Sequence, residues 1–192
     1  MTLPLISVVI PSHNRAASVI RLLEALALQD LDPTQFEVIV AMDAPTDDTA
    51  ARIADRSWPF RVAAFVPEGR NASNARNKGA ARARAPRLVF LDDDMEPGPG
   101  CLSAHLRAAA ANPGAVVIAE CAPRIAGKGW FYDDLRRYWL DHFAELQQPG
   151  HRFSHFDLCS GNFSLDKALF DQAEGFDPEM NCREDYELGY RL

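Results

Sequence analysis

The chain reads as an α/β protein built on a mostly parallel, doubly wound sheet with helices on both faces. Three observations predict this. Short apolar runs alternate with helical patterns through the first half of the 192 residues, the order that builds strand–helix–strand units and a parallel sheet. The runs are apolar almost throughout rather than at every second residue, as strands covered on both faces must be. They end in prolines or acids, so their ends gather along one rim, where open α/β sheets bind ligands.

Residues 5–10 form the first strand, which Pro11 is expected to stop, leaving Ser12, His13 and Asn14 as a polar turn. Val19, Leu22, Leu23, Leu26 and Ala27 recur at the helical period, and Asp32 with Pro33 breaks that helix. Residues 36–42 make a second strand that closes at Asp43. Pro45 turns the chain, and Thr46 is the expected N-cap of a short helix through Ile53, with Asp47 and Asp48 favourable in its first turn. A third strand covers 61–66, and an alanine- and arginine-rich helix covers 73–84 until Pro86 stops it. Leu88, Val89, Phe90 and Leu91 then run as a buried strand into Asp92, Asp93 and Asp94.

The second half is less regular. A helix is expected at 102–111, a strand at 115–119, and a helix or helical pair at 130–146 whose aromatic spacing suggests core. A loop at 147–150, a strand at 161–165, a short helix capped by Asp166, a turn at 174–178 and a last helix from Arg183 complete the chain. No repeat, low-complexity tract or internal boundary interrupts it, so 1–192 is read as one domain.

The totals exclude several functions. A net charge of −7 argues against a nucleic-acid partner. The four cysteines, Cys101, Cys121, Cys159 and Cys182, lie far apart with no CxxC pair, which indicates neither a zinc site nor a disulfide scaffold. Isolated thiols fit a reducing, cytoplasmic setting. No basic-then-apolar leader opens the chain and no run nears the ~18 apolar residues of a membrane span, so only peripheral contact with a membrane stays open.

Three adjacent carboxylates at a strand end repel one another, and a divalent cation is the natural remedy. Oxygen ligands suit Mg2+ or Mn2+, commonly held by one or two carboxylates plus substrate phosphates. The plainer alternative is a solvated acidic turn closed by Pro97 and Gly98. Between residues 71 and 91 no acid occurs, while Arg76, Lys78, Arg82, Arg84 and Arg87 do. Arg82, Arg84 and Arg87 fit a solvated face. Arg76 stands in the first turns of the helix that leads into the acidic strand, where free N–H groups and an arginine fork hold anions. Asp43 is either an ordinary turn aspartate or an acceptor for a base N–H. Glu184 and Asp185 either answer a helix dipole or supply a general base. Spacing alone does not choose.

Taken together, these stretches resemble the GT-A glycosyltransferases, specifically inverting family 2. ISVVIPSHNR at 6–15 is similar to that family's opening strand and turn, and MDAPTD at 42–47 to its Asp-Asp-Gly-Ser-Thr-Asp segment. NARNKG at 74–79 resembles its Ala-Arg-Asn-x-Gly helix, and FLDDD at 90–94 its DxD motif. SGNF at 160–163, GFD at 175–177 and EDYEL at 184–188 resemble its acceptor-side motifs.

The resemblance implies a GT-A fold with a nucleotide-binding half at 1–95 and an acceptor-side half at 96–192. It implies metal-dependent, inverting transfer from a nucleotide-diphosphate sugar, a UDP-sugar first, to a glycan, lipid-linked or small-molecule acceptor. Pro11 and Asn14 would line the nucleotide pocket with His13 and Arg15 beside them. Asp43 would bind the base, and Arg76 would sit near base or diphosphate. Asp92 would contact the ribose and reach the metal, Asp93 would lie among the donor contacts, and Asp94 would ligate Mn2+ or Mg2+ directly. Asp185, with Glu184 as second candidate, would be the catalytic base. Gly161 and Asn162 would shape the sugar and acceptor pocket. Met42, Pro45 and Glu174 depart from the pattern. The family usually continues past the last helix, so a chain stopping at Leu192 is expected to be a fragment. The rivals are a non-catalytic nucleotide-sugar binder and a haloacid-dehalogenase-like phosphohydrolase. Against the second, three strands precede the motif and Glu96 stands two residues after Asp94.

Overall fold

A computed structural model describes residues 3–120 and 127–192; Cys121 lies outside them. Six strands form one sheet: β1 (Ile6–Ser12), β2 (Phe36–Met42), β3 (Arg61–Phe65), β4 (Arg87–Leu91), β5 (Val117–Ile118) and β6 (Asn162–Asp166). Their spatial order is β3-β2-β1-β4-β6-β5. The first four run parallel, and β6 lies antiparallel to both β4 and β5.

Seven α-helices accompany them among the described residues: α1 (Ala16–Leu26), α2 (Thr49–Ala54), α3 (Ala72–Arg82), α4 (Cys101–Ala111), α5 (Trp130–Leu146), α6 (Lys167–Gln172) and α7 (Glu184–Arg191). Strand side chains alternate between the two faces. Ile6, Val8 and Ile10 of β1 join Val19, Leu22, Leu23 and Leu26 of α1 and Leu102 of α4 in one core. Val9 points the other way, with Phe90, Phe163, Phe170, Phe176 and Leu188 in a second. Both faces are covered, which explains why the strands read as unbroken apolar runs. No helix of the described residues is long and apolar enough to cross a membrane.

Several boundaries differ from expectation. Pro11 does not stop β1, which continues to Ser12. Beside β1, the ladder to β4 ends at Val9 while the ladder to β2 continues to Ser12. The Ser12 carbonyl accepts from the Asp43 N–H on the β2 side, so Pro11 faces the side where no ladder donor is required. Thr46 does not cap α2. Its N–H donates to Asn14 Oδ1 at 2.6 Å, while Asp47 binds the Thr49 hydroxyl at 2.6 Å and the Ala16 N–H at 3.0 Å, delaying the helix to Thr49. Helix α3 ends at Arg82, because Glu37 takes the Arg84 N–H and Ser7 Oγ takes the Ala85 N–H. Asp166 precedes α6 without capping it, since its carboxylate pairs with Arg87 at 2.9 Å; Arg87, read as part of a solvated face, is accordingly buried.

The 130–146 segment is a single helix, and its aromatics are mostly not core. Trp130, Phe131, Tyr132 and Tyr138 are exposed. Acids and arginines fall all around α5, so only the stripe of Trp139, Phe143 and Leu146 packs inward, against Met95 and Cys159.

Candidate active site

The carboxyl ends of β1, β2 and β4 meet the start of α3 around a cavity of about 420 Å3. Two turns form its floor and tie to each other. His13 Nδ1 donates to the Asp43 carbonyl at 2.6 Å, and Asn14 Nδ2 donates to His13 Nε2 at 3.2 Å. Asn14 sits at φ 54°, a left-handed conformation that asparagine tolerates better than most residues. Asp43 accepts the Asn71 N–H through Oδ2 at 3.1 Å. Its Oδ1 is buried and has no hydrogen-bond partner among the described residues, although Asp43 lines the cavity.

Arg76 enters from α3 and is buried. Its Nη2 donates to Asp92 Oδ1 at 2.7 Å and its Nη1 to Glu184 Oε1 at 2.9 Å. The guanidinium lies 5.2 Å from the centre of the Phe176 ring. Burial alone would weaken its charge, but Asp92 and Glu184 outweigh that and strengthen it. Its Nε has no hydrogen-bond partner among the described residues.

The acidic triplet divides its roles. Asp93 is buried and accepts Ser12 Oγ at 2.7 Å and Arg15 Nη1 at 3.1 Å. Burial pushes its carboxyl above the ordinary range and the charge of Asp94 adds to this, while Ser12 and Arg15 oppose it. Asp94 is half exposed and accepts the same Arg15 nitrogen through Oδ2 at 3.0 Å. Arg15 and Arg76 offset part of this charge: two guanidinium groups face Asp92, Asp93, Asp94 and Glu184, because the fold brings both arginines to the strand end.

A second hollow of about 360 Å3 opens toward α7 and shares Asp92 and Asp94 with the first. Gly161, Ser160, Trp139, Tyr186 and Asp185 line it. The Ser160 N–H donates to Asp185 Oδ2 at 3.3 Å, and the Asp92 N–H donates to the Gly161 carbonyl at 3.2 Å. Two successive residues thus join the acidic strand to α7. Burial raises the Asp185 carboxyl, with Glu184 adding to the effect. A carboxylate held in this way is a better proton acceptor than one in water.

Of the residues singled out from sequence, Pro11, His13, Arg15, Asp43, Arg76, Asp92, Asp93 and Asp94 share the first cavity. Asp185 and Gly161 share the second. Three are placed differently. Asn14 braces the turn. Glu184 is taken up by Arg76. Asn162 turns inward, where its Oδ1 accepts His105 Nε2 at 2.9 Å. His105 escaped the sequence reading. It is buried on α4, bonded also to Ser164 Oγ at 2.9 Å, and burial lowers its pKa. A lone histidine between Ala104 and Leu106 carries no signal of this.

A family model described as glycosyl transferase family 2 matches residues 7–173. Two curated proteins from Streptomyces hygroscopicus, from subspecies limoneus and jinggangensis, both named validoxylamine A glucosyltransferase, are each 33% identical over 98% of this chain. The chain spans about half the length of these relatives, 48% and 51%. Among solved structures, Staphylococcus aureus TarS 1–349 in complex with UDP superposes with a TM-score of 0.76 at 19% identity, over 96% of this chain and 53% of that one. A mannosyltransferase from Pyrobaculum calidifontis in complex with GDP-Man and Mn2+ superposes at 0.69 with 17% identity, over 96% and 51%.

Proposed function

The chain belongs to glycosyl transferase family 2, and from that premise we propose that it transfers a sugar from a nucleoside diphosphate to an acceptor hydroxyl, inverting the anomeric carbon. One observation carries the reading. The cavity holding Asp43, Arg76 and the acidic triplet meets the hollow holding Asp185 at two shared residues, Asp92 and Asp94. A donor in the first would present its anomeric carbon to an acceptor in the second.

Asp43 Oδ1, buried and without a partner among the described residues, suits a base N–H such as that of uracil. Arg76 and Arg15 face the diphosphate. A UDP-sugar is accordingly the preferred donor, and the UDP complex of TarS supports that choice. The glucosyl relatives make glucose the first sugar to try.

Mn2+ or Mg2+ fits this donor set. Arg76 takes Asp92 Oδ1 and Arg15 takes Asp94 Oδ2, which leaves one oxygen of each for a hard cation completed by diphosphate oxygens. When bound, such an ion supplies Lewis-acid stabilisation of the leaving diphosphate. No group of three His, Cys, Asp or Glu side chains is arranged for a metal among the described residues; Asp92 and Asp94 would hold the ion together with the donor's diphosphate. The manganese in the mannosyltransferase complex supports the reading.

In the transfer, the acceptor oxygen bonds to the anomeric carbon as the bond to the diphosphate breaks, and the hydroxyl proton passes to Asp185. Glu184 holds Arg76 beside Asp92 and is the weaker candidate for base. A phosphohydrolase is set aside, because family and fold both point elsewhere. The test is Asp185→Asn assayed with UDP-glucose and a panel of hydroxyl acceptors. Transfer is expected to fall by roughly 10²–10⁴-fold while calorimetric UDP affinity is kept. Turnover retained by this variant refutes the base assignment. Binding without transfer by the unaltered chain supports a non-catalytic binder instead.

A further inference from the structure

A single nitrogen of Arg15 bridges the two carboxylates beside the proposed cation position. It lies 3.1 Å from Asp93 Oδ1 and 3.0 Å from Asp94 Oδ2. The arginine side chain is 55% exposed, whereas that of Asp93 is only 7%. The buried acid is therefore enclosed, while its cationic partner reaches it from solvent. Arg15 follows directly on the His13–Asn14 turn and lines the cavity assigned to the donor. Arg76, buried in the same cavity, also keeps an Nε without a partner among the described residues.

A divalent ion drawn to the free oxygen of Asp94 meets this guanidinium on the other oxygen of the same carboxylate, and two cations on one carboxylate repel. A diphosphate changes the balance, because it offers Arg15 a doubly charged fork partner within the same cavity. We infer that Arg15 is the residue that couples donor to metal. It occupies the Asp93–Asp94 pair when no donor is present, and it turns to the diphosphate as the metal takes Asp94. Donor and metal then enter as one cooperative event, and the empty site takes up little free metal. This inference rests on the metal-dependent reading above.

By linkage, the factor by which UDP strengthens metal binding equals the factor by which metal strengthens UDP binding. The test is a Mn2+ titration, with free ion followed by electron paramagnetic resonance, with and without UDP. The unaltered chain is expected to bind Mn2+ at least about tenfold more tightly with UDP than without. Arg15→Gln is expected to bind Mn2+ alone at least about tenfold more tightly than the unaltered chain, and UDP should strengthen that binding far less. Arg15 is half exposed, so the variant should fold, and its melting temperature checks this. Arg21→Gln removes the same charge from a nearby pair, Arg21 with Glu96 at 3.8 Å, and should leave Mn2+ affinity nearly unchanged. If Arg15→Gln binds Mn2+ alone no more tightly while both chains still bind it with UDP, the inference fails and the metal reading stands. An equal gain in Arg21→Gln overturns the inference in favour of general charge. If no chain binds Mn2+ even with UDP, the metal reading fails, and the inference with it.

Discussion

Asp43 keeps a carboxylate oxygen buried with no partner among the described residues, an arrangement that costs free energy until something donates to it. A base N–H in the cavity would meet that need. Asp43→Ala is thus expected to weaken UDP binding about tenfold, the size of a lost hydrogen bond to a charged group, with melting temperature of the free chain little changed. Calorimetry decides, and unaltered UDP affinity would remove Asp43 from the donor site. This residue was legible in sequence because an acid closing a buried strand must sit at the rim. The triplet was legible for the same reason, and Arg76 because it stands in the first turns of the helix that leads into that strand. The pairing of Arg15 with the triplet was not, since it depends on how a turn folds back across 78 residues of chain.

Helix α3 carries much of the geometry. Asn77 Nδ2 donates to the Phe176 carbonyl at 2.7 Å and its Oδ1 accepts the Phe176 N–H at 2.9 Å. Asn71 Nδ2 holds the Pro178 carbonyl at 2.7 Å. These bonds fasten the segment that delivers Asp185. The helix lies close to the sheet at Gly79, where an added Cβ would come 2.5 Å from Val9 Cγ1. Gly79→Ala should therefore destabilise the chain by about 1–3 kcal/mol through overpacking. Urea unfolding measures it, and a stability gain would show that the contact yields. The existence of α3 followed from its alanines and from Pro86. Its first residue did not, because Asn71 caps it from φ 78°, a backbone state that composition does not reveal. Glu174 likewise takes φ 61° in the turn that follows α6, a left-handed state that a non-glycine residue adopts at a strain cost.

Across the whole molecule, the two rims of the sheet do opposite work. At the rim away from the cavity, Glu37 is fully buried yet accepts Ser7 Oγ, the Arg84 N–H and the Arg61 and Arg84 guanidinium groups. Burial pushes its carboxyl up, but these bonds prevail and hold it below its ordinary value of 4.5. A depressed value contributes stability that is whole above that ordinary value and is lost as pH falls through the lower folded one. Glu37→Gln should cost about 2 kcal/mol at neutral pH and flatten the acid side of the stability curve. Unfolding midpoints across the acid range test this, and an unchanged slope would shift the acid sensitivity to other groups. The parallel half of the sheet was legible because its strands are uniformly apolar. The reversed strand was not, because residues 161–165 carry no mark of direction.

That reversal also fixes where the two hollows lie. Leu91 leaving β4 faces Asn162 arriving on β6, so everything from Asp92 to Gly161 is an excursion that departs from and returns to one spot. That excursion opens on Asp92–Asp94 and closes on Ser160–Gly161, so the pairing of β4 with β6 holds the two hollows side by side, and a slip in its register would pull them apart.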